Sequence, residues 1–338
     1  MPLVSVLMPC YNAEKTIHEA LDSLTSQTLS DLEIIAVDDG STDNTLQILQ
    51  QHARIDNRIQ IIHSEHGGIV QALNTGLKFC HAPYIARMDS DDRSHRERLA
   101  QQVSYFENHP DIGAVSCLVS AFPTNQIRPG FQIYIDWLNS LITDDQIRNE
   151  IFIESPLPHP SVTYRKTSIF ALGGYQDHGW PEDYDLWMRM YIAGVKFAKT
   201  PQFLLEWRDD KNRLTRIDPR YSLENFIRLK AHYLKSGPLA NRDAVYIWGA
   251  GMTGRRISKH LAQARVPLTG FIDVDPKKIG RQLRGLPILS RYDLIKEWSK
   301  HNKPVLLSAV SARKARPQIK GYLTLIGLQE GIDWIFVA

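Results

Sequence analysis

Short apolar runs that stop at acidic turns, each followed by an amphipathic helical stretch, limit what the first half of this chain can become. Val4–Met8 is such a run, closed by Pro9, and Ile17, Ala20, Leu21 and Leu24 then recur on one helical face. Leu32–Val37 stops at Asp38-Asp39-Gly40-Ser41, after which Thr45–Gln51 takes up the helical period. Ile59–Ile62 reads as a third strand, a helix over Ile69–Phe79 follows Gly67-Gly68, and Tyr84–Met88 stops at Asp89. Strands alternating with helices predict an α/β fold with a doubly wound, mostly parallel sheet. In such sheets ligands bind outside the carboxyl ends of the strands, so Asp38/Asp39 and Asp89/Asp91/Asp92 fall on one rim.

The stretch from Ile112 to about Arg208 is less regular, with a strand-like Gly113–Ala121 and helical patterns near Ile133–Ile142 and Glu182–Ala193. Tyr221–Lys235 reads as an amphipathic helix, and Gly237-Pro238 breaks the chain behind it. At roughly 150 residues per domain, 338 residues make two. The break sets them at 1–236 and 241–338. No window approaches the ~18 apolar residues that cross a bilayer. Leu3–Met8 is too short for a signal peptide and has no cationic flank. Cys10, Cys80 and Cys117 have neither metal spacing nor an even disulfide count, which fits a reducing cytoplasm. Cys10, near the first strand end, reads as packing rather than as a nucleophile.

The net charge of +3 hides an asymmetry. From Asn241 onward there are 17 Lys and Arg against 7 Asp and Glu, which leaves 23 and 30 for the first 240 residues. A basic tail favours nucleotide phosphates or an anionic membrane surface, and equally serves as a solvated face. Peripheral attachment at the inner face of a membrane is therefore compatible with a cytoplasmic location. Nucleic acid is not expected as a partner.

Two clusters carry chemistry. In Tyr84-Ile-Ala-Arg-Met-Asp-Ser-Asp-Asp92, three carboxylates in four residues at a strand end repel one another unless a cation sits among them. Mg²⁺ or Mn²⁺ takes carboxylate oxygens, fills its other positions from substrate phosphates and neutralises a departing diphosphate. The same acids also suit the turn into the next helix. In Val37-Asp-Asp-Gly-Ser-Thr-Asp-Asn44, a strand-end Asp can accept from the N3–H of uracil, and an Asx-type turn uses the same residues.

Val4-Ser-Val-Leu-Met-Pro-Cys-Tyr-Asn12, Asp-Asp-Gly-Ser-Thr-Asp43, Ala-Leu-Asn-Thr-Gly76, Ala-Arg-Met-Asp-Ser-Asp-Asp92, His-Pro-Ser161 and Pro-Glu-Asp-Tyr-Asp185 follow one another along the chain. Over about residues 1–235 this order resembles family 2 glycosyltransferases of the GT-A fold, inverting enzymes that use a nucleotide sugar and a divalent metal. The resemblance implies that Pro9, Tyr11 and Glu14 frame the nucleoside, with Asp38 or Asp39 on the base. It implies that Asp89 and Asp91 are the DxD pair, Asp91 nearest the metal. Asp183 would be the general base, with Glu182 beside it. Independently, Pro181-Glu182-Asp183 reads as a helix start with Pro first and acids in the first turn. His159 is a candidate donor-site residue, and Trp180 and Trp187 are candidates for sugar stacking or for core. The family's Trp/Tyr-Arg-x-His stretch corresponds to Trp207-Arg-Asp-Asp210, which keeps a candidate phosphate contact, Arg208, and lacks the His.

Ala244-Val-Tyr-Ile-Trp-Gly-Ala-Gly-Met-Thr-Gly254 is a strand running into G-x-G-x-x-G, Arg255–Gln263 continues as a helix, and Phe271-Ile-Asp273 ends the next strand. Gly249, Gly251 and Gly254 allow a tight turn and close phosphate approach, and Asp273 is placed to hold a ribose. This predicts a small Rossmann-like domain, with a second nucleotide or NAD(P) as the expected ligand and a docking role as the alternative. The leading function is sugar transfer from an NDP-sugar, UDP-linked by expectation, to a glycan or lipid-linked hydroxyl in bacterial surface polysaccharide synthesis. An NAD(P)-dependent sugar-nucleotide oxidoreductase or epimerase is the second reading, and a non-catalytic nucleotide sensor the third.

Overall fold

The computed structural model describes residues 1–211 and 213–338. Contacts divide the chain into two compact units, the first comprising Met1–Ile147, Pro156–His178 and Glu182–Ile217, the second Arg148–Ser155, Gly179–Pro181 and Asp218–Ala338. The contacts thus part at Ile217 and Asp218, not at Gly237-Pro238. The helix Leu223–Ser236 packs on the helix Met252–Gln263 of the second unit and buries Leu229 and Leu234 there. A local breaker ends a helix, but burial decides which core that helix joins.

The first unit holds an eight-stranded sheet of β1 (Val4–Cys10), β2 (Leu32–Asp39), β3 (Ile59–Ser64), β4 (Tyr84–Arg87), β5 (Arg93–Ser94), β6 (Ile112–Phe122), β7 (Thr163–Arg165) and β8 (Lys196–Arg208). Its order is β3-β2-β1-β4-β7-β6-β8-β5. β1 to β4 are mutually parallel, β7 runs against β4 and β6, and β8 is parallel to β6. Every residue of β1 is buried, as a central parallel strand covered on both faces requires. Val4, Val6 and Met8 meet Ile17, Ala20, Leu21 and Leu24 of the helix Ile17–Thr25 in one core. Each such side chain contributes roughly 1.5–3 kcal/mol of burial. On the other face the helix Ile69–Leu77 comes so close that a Cβ at Gly76 would lie 2.3 Å from Leu7 Cδ1 and 2.7 Å from Val37 Cγ2. That contact accounts for the glycine of Ala-Leu-Asn-Thr-Gly76.

The second unit holds β9 (Ala244–Trp248), β10 (Leu268–Asp273), β11 (Gln282–Leu283), β12 (Leu286–Ser290), β13 (Pro304–Ser308) and β14 (Trp334–Phe336) in the order β11-β12-β10-β9-β13-β14. All but β11 are parallel. Both units therefore have the predicted α/β architecture. β8 is the longest of the strands the sequence did not announce. Its run carries Pro201, a buried Lys199 and an exposed Phe203, and its register on β6 shifts, so no period of two survives. No helix among the described residues is long and apolar enough to cross a membrane.

Candidate active site

The loops after β1 and β2 are latched together. The chain leaves β1 through Asn12 at φ +48°. Asn12 Oδ1 accepts the Thr42 amide at 2.8 Å, and the Ala13 amide donates to Thr45 Oγ1 at 2.7 Å. The Glu14 carboxylate accepts both the amide and the side chain of Asn44. Tyr11 stays exposed on this latch, its ring stacked on His66 with centroids 4.1 Å apart. The two acids ending β2 differ. Asp38 is fully buried, with Oδ2 2.7 Å from His63 Nδ1 and Oδ1 without any partner. Asp39 accepts the amides of Gly67 and Gly68, each at 2.9 Å, and lies 2.9 Å from His66 Nδ1.

β4 ends in a buried cation and a group of acids. The Arg87 guanidinium donates to the Met88 carbonyl and, at 2.6 Å, to Asp89 Oδ1. Asp89, Asp91 and Asp92 bring carboxylate oxygens within 4.8 Å of one another. Burial, and then the charge of Asp89, pushes the Asp91 carboxyl up to about 6. Burial and both neighbouring acids raise Asp92 well above the carboxylate range. Asp92 Oδ1 accepts the Arg208 amide at 2.8 Å, while its buried Oδ2 has no partner. Three crowded carboxylates, one with an orphaned oxygen, are a donor set that fits a hard divalent cation. Arg208 itself is engaged: Nε donates to the Asp91 carbonyl at 2.6 Å and Nη2 to Glu19 at 2.6 Å.

A second set of acids opens the helix Glu182–Ile192. Asp183 is half-buried and its Oδ1 accepts the Tyr184 amide at 2.7 Å. Burial, then the charge of Glu182, raises the Asp183 carboxyl to about 8, and Arg87 pulls the other way. Glu182 is buried, with Oε1 4.0 Å from His159 Nδ1. His159 Nε2 pairs with Tyr175 Oη at 2.7 Å, which in turn meets Tyr164 Oη at 3.0 Å. Burial, helped by the Arg87 charge, holds His159 well below its usual range and so neutral. Asn74 fixes Tyr175 through two 2.9 Å bonds to its main chain, which gives the asparagine of Ala-Leu-Asn-Thr-Gly76 its place. Asp185 is committed to Arg189 at 2.7 Å.

In the second unit the glycine loop is tightly built. Gly249 has φ +109°, and a Cβ at Gly254 would lie 1.8 Å from the Gly249 carbonyl oxygen. Gly251 caps the helix Met252–Gln263. Asp273 reaches back into this loop: Oδ2 accepts the Ala250 amide at 2.9 Å and Lys278 Nζ at 3.0 Å, and Oδ1 accepts the Asp275 amide at 3.0 Å. Burial alone would raise its carboxyl, but these bonds hold it below the usual value.

A mostly parallel sheet with acids at the ends of its strands, three carboxylates grouped after β4 and a raised acid at a helix start are the features of a glycosyl-transfer enzyme of the GT-A class. Residues 5–171 match Glycosyl transferase family 2, and residues 241–323 match a CoA binding domain. The chain is 31% identical over 210 residues to the amylovoran biosynthesis glycosyltransferase AmsE of Erwinia amylovora, covering 61% of this chain and 76% of that protein. The chain belongs to glycosyl transferase family 2. Among solved structures, S. aureus TarS 1–349 in complex with UDP-GlcNAc is similar in fold, with TM-score 0.57 and 20% identity, over 77% of this chain and 72% of that one. The mannosyltransferase PcManGT of Pyrobaculum calidifontis, in complex with GDP-Man and Mn²⁺, aligns with TM-score 0.51 and 21% identity, over 69% and 62%.

The structure brings Asp89, Asp91 and Asp92 into one group and bonds Arg87 to Asp89, while the Arg87 charge also acts on Asp183 and His159. Tyr11, Asp38 and Asp39 lie at the adjoining ends of β1 and β2. Pro9 lies within β1, and Glu14 is turned to Asn44. Trp187 is fully buried against His159, and Trp180 packs on His232 in the second unit. Cys10 is buried, and burial pushes its thiol far up, as packing requires. Arg87, His63, His66 and Tyr175 were not anticipated. Arg87 lay inside a quoted motif, where a cation two residues before the acids was the available signal. Tyr292-Asp-Leu-Ile-Lys296, a Tyr-x-x-x-Lys spacing, was also passed over; Tyr292 is three-quarters exposed and its hydroxyl accepts from Arg291.

Proposed function

We propose that this glycosyltransferase moves a sugar from a nucleoside diphosphate sugar, UDP-linked by preference, to a hydroxyl of a glycan or lipid-linked acceptor, with inversion and with Asp183 as general base. The observation that carries the reading is the buried guanidinium of Arg87. It is bonded to Asp89 and its charge lowers the proton affinity of Asp183, so the acidic group and the base belong to one electrostatic unit. Asp89, Asp91 and Asp92 would hold Mg²⁺ or Mn²⁺, which when bound supplies a Lewis acid for the leaving diphosphate. Tyr11 with His66 offers an aromatic face to the base, and Asp38 Oδ1 is an unpartnered acceptor for the N3–H of uracil. Asp183, poised near 8, accepts the proton of the attacking hydroxyl; a base with a pKa near the working pH suits that task. His159, held by Tyr175 and kept neutral by burial, stands beside Glu182.

The UDP-GlcNAc and GDP-Man complexes of the structural relatives support a nucleotide-sugar donor, and the amylovoran relative supports a role in bacterial surface polysaccharide. The basic surplus beyond Asn241 suits a peripheral position on the inner membrane face, beside lipid-linked acceptors. For the second unit we propose a bound nucleotide or NAD(P) on the Gly249–Gly254 loop, with Asp273 shaping the loop, not gripping a ribose; a ligand of the folded state raises its melting temperature. The transferase reading is tested with Asp183→Asn, which keeps size but cannot take the proton. Turnover falls about 10²–10⁴-fold while nucleotide affinity holds. A near-wild-type rate, or affinity collapsing with turnover, moves the base elsewhere.

A further inference from the structure

We propose that Arg213 is the residue that grips the diphosphate of the departing nucleotide; the assignment rests on the transferase reading above. Arg208, the residue the motif order suggested, is tied to the Asp91 carbonyl and to Glu19, with its guanidinium 4.4 Å over the Phe122 ring. It acts as a fixed strut behind the acids. Arg213 lies five residues on. Its guanidinium rests on two aromatic faces, 4.6 Å from the Phe131 centroid and 4.4 Å from that of Trp207. Nη1 donates at 3.3 Å to the carbonyl of Arg208, the residue whose amide and Nε hold Asp92 Oδ1 and the Asp91 carbonyl.

Four arginines around the acids have carboxylate partners, while the buried Arg98 donates to the Arg87 and Pro160 carbonyls. Arg87 pairs with Asp89, Arg93 and Arg208 with Glu19, and Arg216 with Asp209. Among the described residues no carboxylate lies within ion-pair distance of Arg213. A half-buried guanidinium lying on rings keeps a donor edge free, and its planar fork matches phosphate oxygens. During transfer the bond from the anomeric carbon to the diphosphate oxygen breaks, and its electron pair stays on that oxygen. The acceptor oxygen bonds the same carbon, and its proton goes to Asp183. Charge therefore grows on the diphosphate, where a pre-positioned cation is worth most.

The test titrates wild type, Arg213→Gln and Arg213→Lys with UDP and GDP in the presence of Mn²⁺, following heat, with the matching monophosphates as controls. For whichever diphosphate wild type binds more tightly, Arg213→Gln weakens affinity about 10- to 100-fold, as for the loss of a charge-assisted contact. Monophosphate affinity stays within about twofold, and Arg213→Lys falls between. If the Gln variant melts earlier without ligand, Arg213→Met keeps the stem on the rings and is judged by the same criterion. Unchanged diphosphate affinity, or equal loss for the monophosphate, overturns the assignment to Arg213 alone. Wild type that binds neither diphosphate overturns it together with the transferase reading.

Discussion

In the first unit acids close β2 and follow β4, and in the second β10 ends in Asp273; each strand runs parallel to β1 or β9 of its own sheet and releases its acids at the carboxyl edge. Their surroundings differ. Asp273 accepts two amides and a lysine, and its carboxyl is held low. Asp38 and Asp92 each keep a buried oxygen without a partner, and Asp91 is pushed up to about 6. A buried acceptor left unmade costs about 1–3 kcal/mol. The contrast separates an acid that completes a loop from acids whose compensation must come from something bound. Strand-end position, shared by all of them, does not distinguish the two cases.

The contrast breaks first at Asp91→Asn. Removing one carboxylate from a three-acid cation site should lower turnover about 10³-fold or more and abolish the Mn²⁺-dependent part of nucleotide binding. Free of ligand, the same variant should melt at or above the wild-type temperature, because the substitution relieves burial of a charge beside Asp89. Calorimetry and a melting curve in EDTA read both effects. Normal turnover, or a lower ligand-free melting temperature, would mean that the acids complete a loop here as well.

Asp273→Ala should have the opposite signature. It leaves the Ala250 amide without its acceptor and Lys278 without its nearer partner, a loss of about 1–3 kcal/mol confined to the second unit. Sugar transfer should stay within about twofold at temperatures where that unit is folded. Domain-resolved hydrogen exchange and initial rates measure the two sides. A large drop in transfer with unchanged protection of β9 and β10 would give Asp273 a functional role in place of the structural one.

Much of this contrast was legible in the sequence, for physical reasons that also mark where legibility ends. β1, β2 and β4 are covered on both faces, so their apolar runs are nearly continuous and stop sharply where the polar rim begins. The acids at Asp89, Asp91 and Asp92 stand out because like charges crowd within four residues. The surroundings of Asp38, Asp39, His159 and Arg213 could not be read, since their neighbours His63, His66, Tyr175 and Phe131 come from other elements. β8 was hidden by its irregular register. The division of the chain was hidden because Arg148–Ser155 and Gly179–Pro181 join the second unit across long sequence separations, which no local breaker encodes.

The smallest expected effect concerns Glu182→Gln, and it sharpens what crowding does within the first unit. Glu182 is buried, and its charge is the second cause, after burial, that raises Asp183 to about 8. Deleting that charge while keeping the side chain's size should let Asp183 release its proton at lower pH. The base works only when deprotonated, so turnover limited by chemistry rises with pH through the Asp183 pKa and then levels. In Glu182→Gln that rise should move about one unit or less toward acid, with a plateau within about threefold of wild type. Below the midpoint the variant would be the faster enzyme, a sign that lost packing or a lost base would not produce. The check is a pH–rate profile of both proteins at saturating donor and metal. A profile that falls in height without moving assigns Glu182 an orienting role through His159, 4.0 Å away, and removes its charge from the account of Asp183.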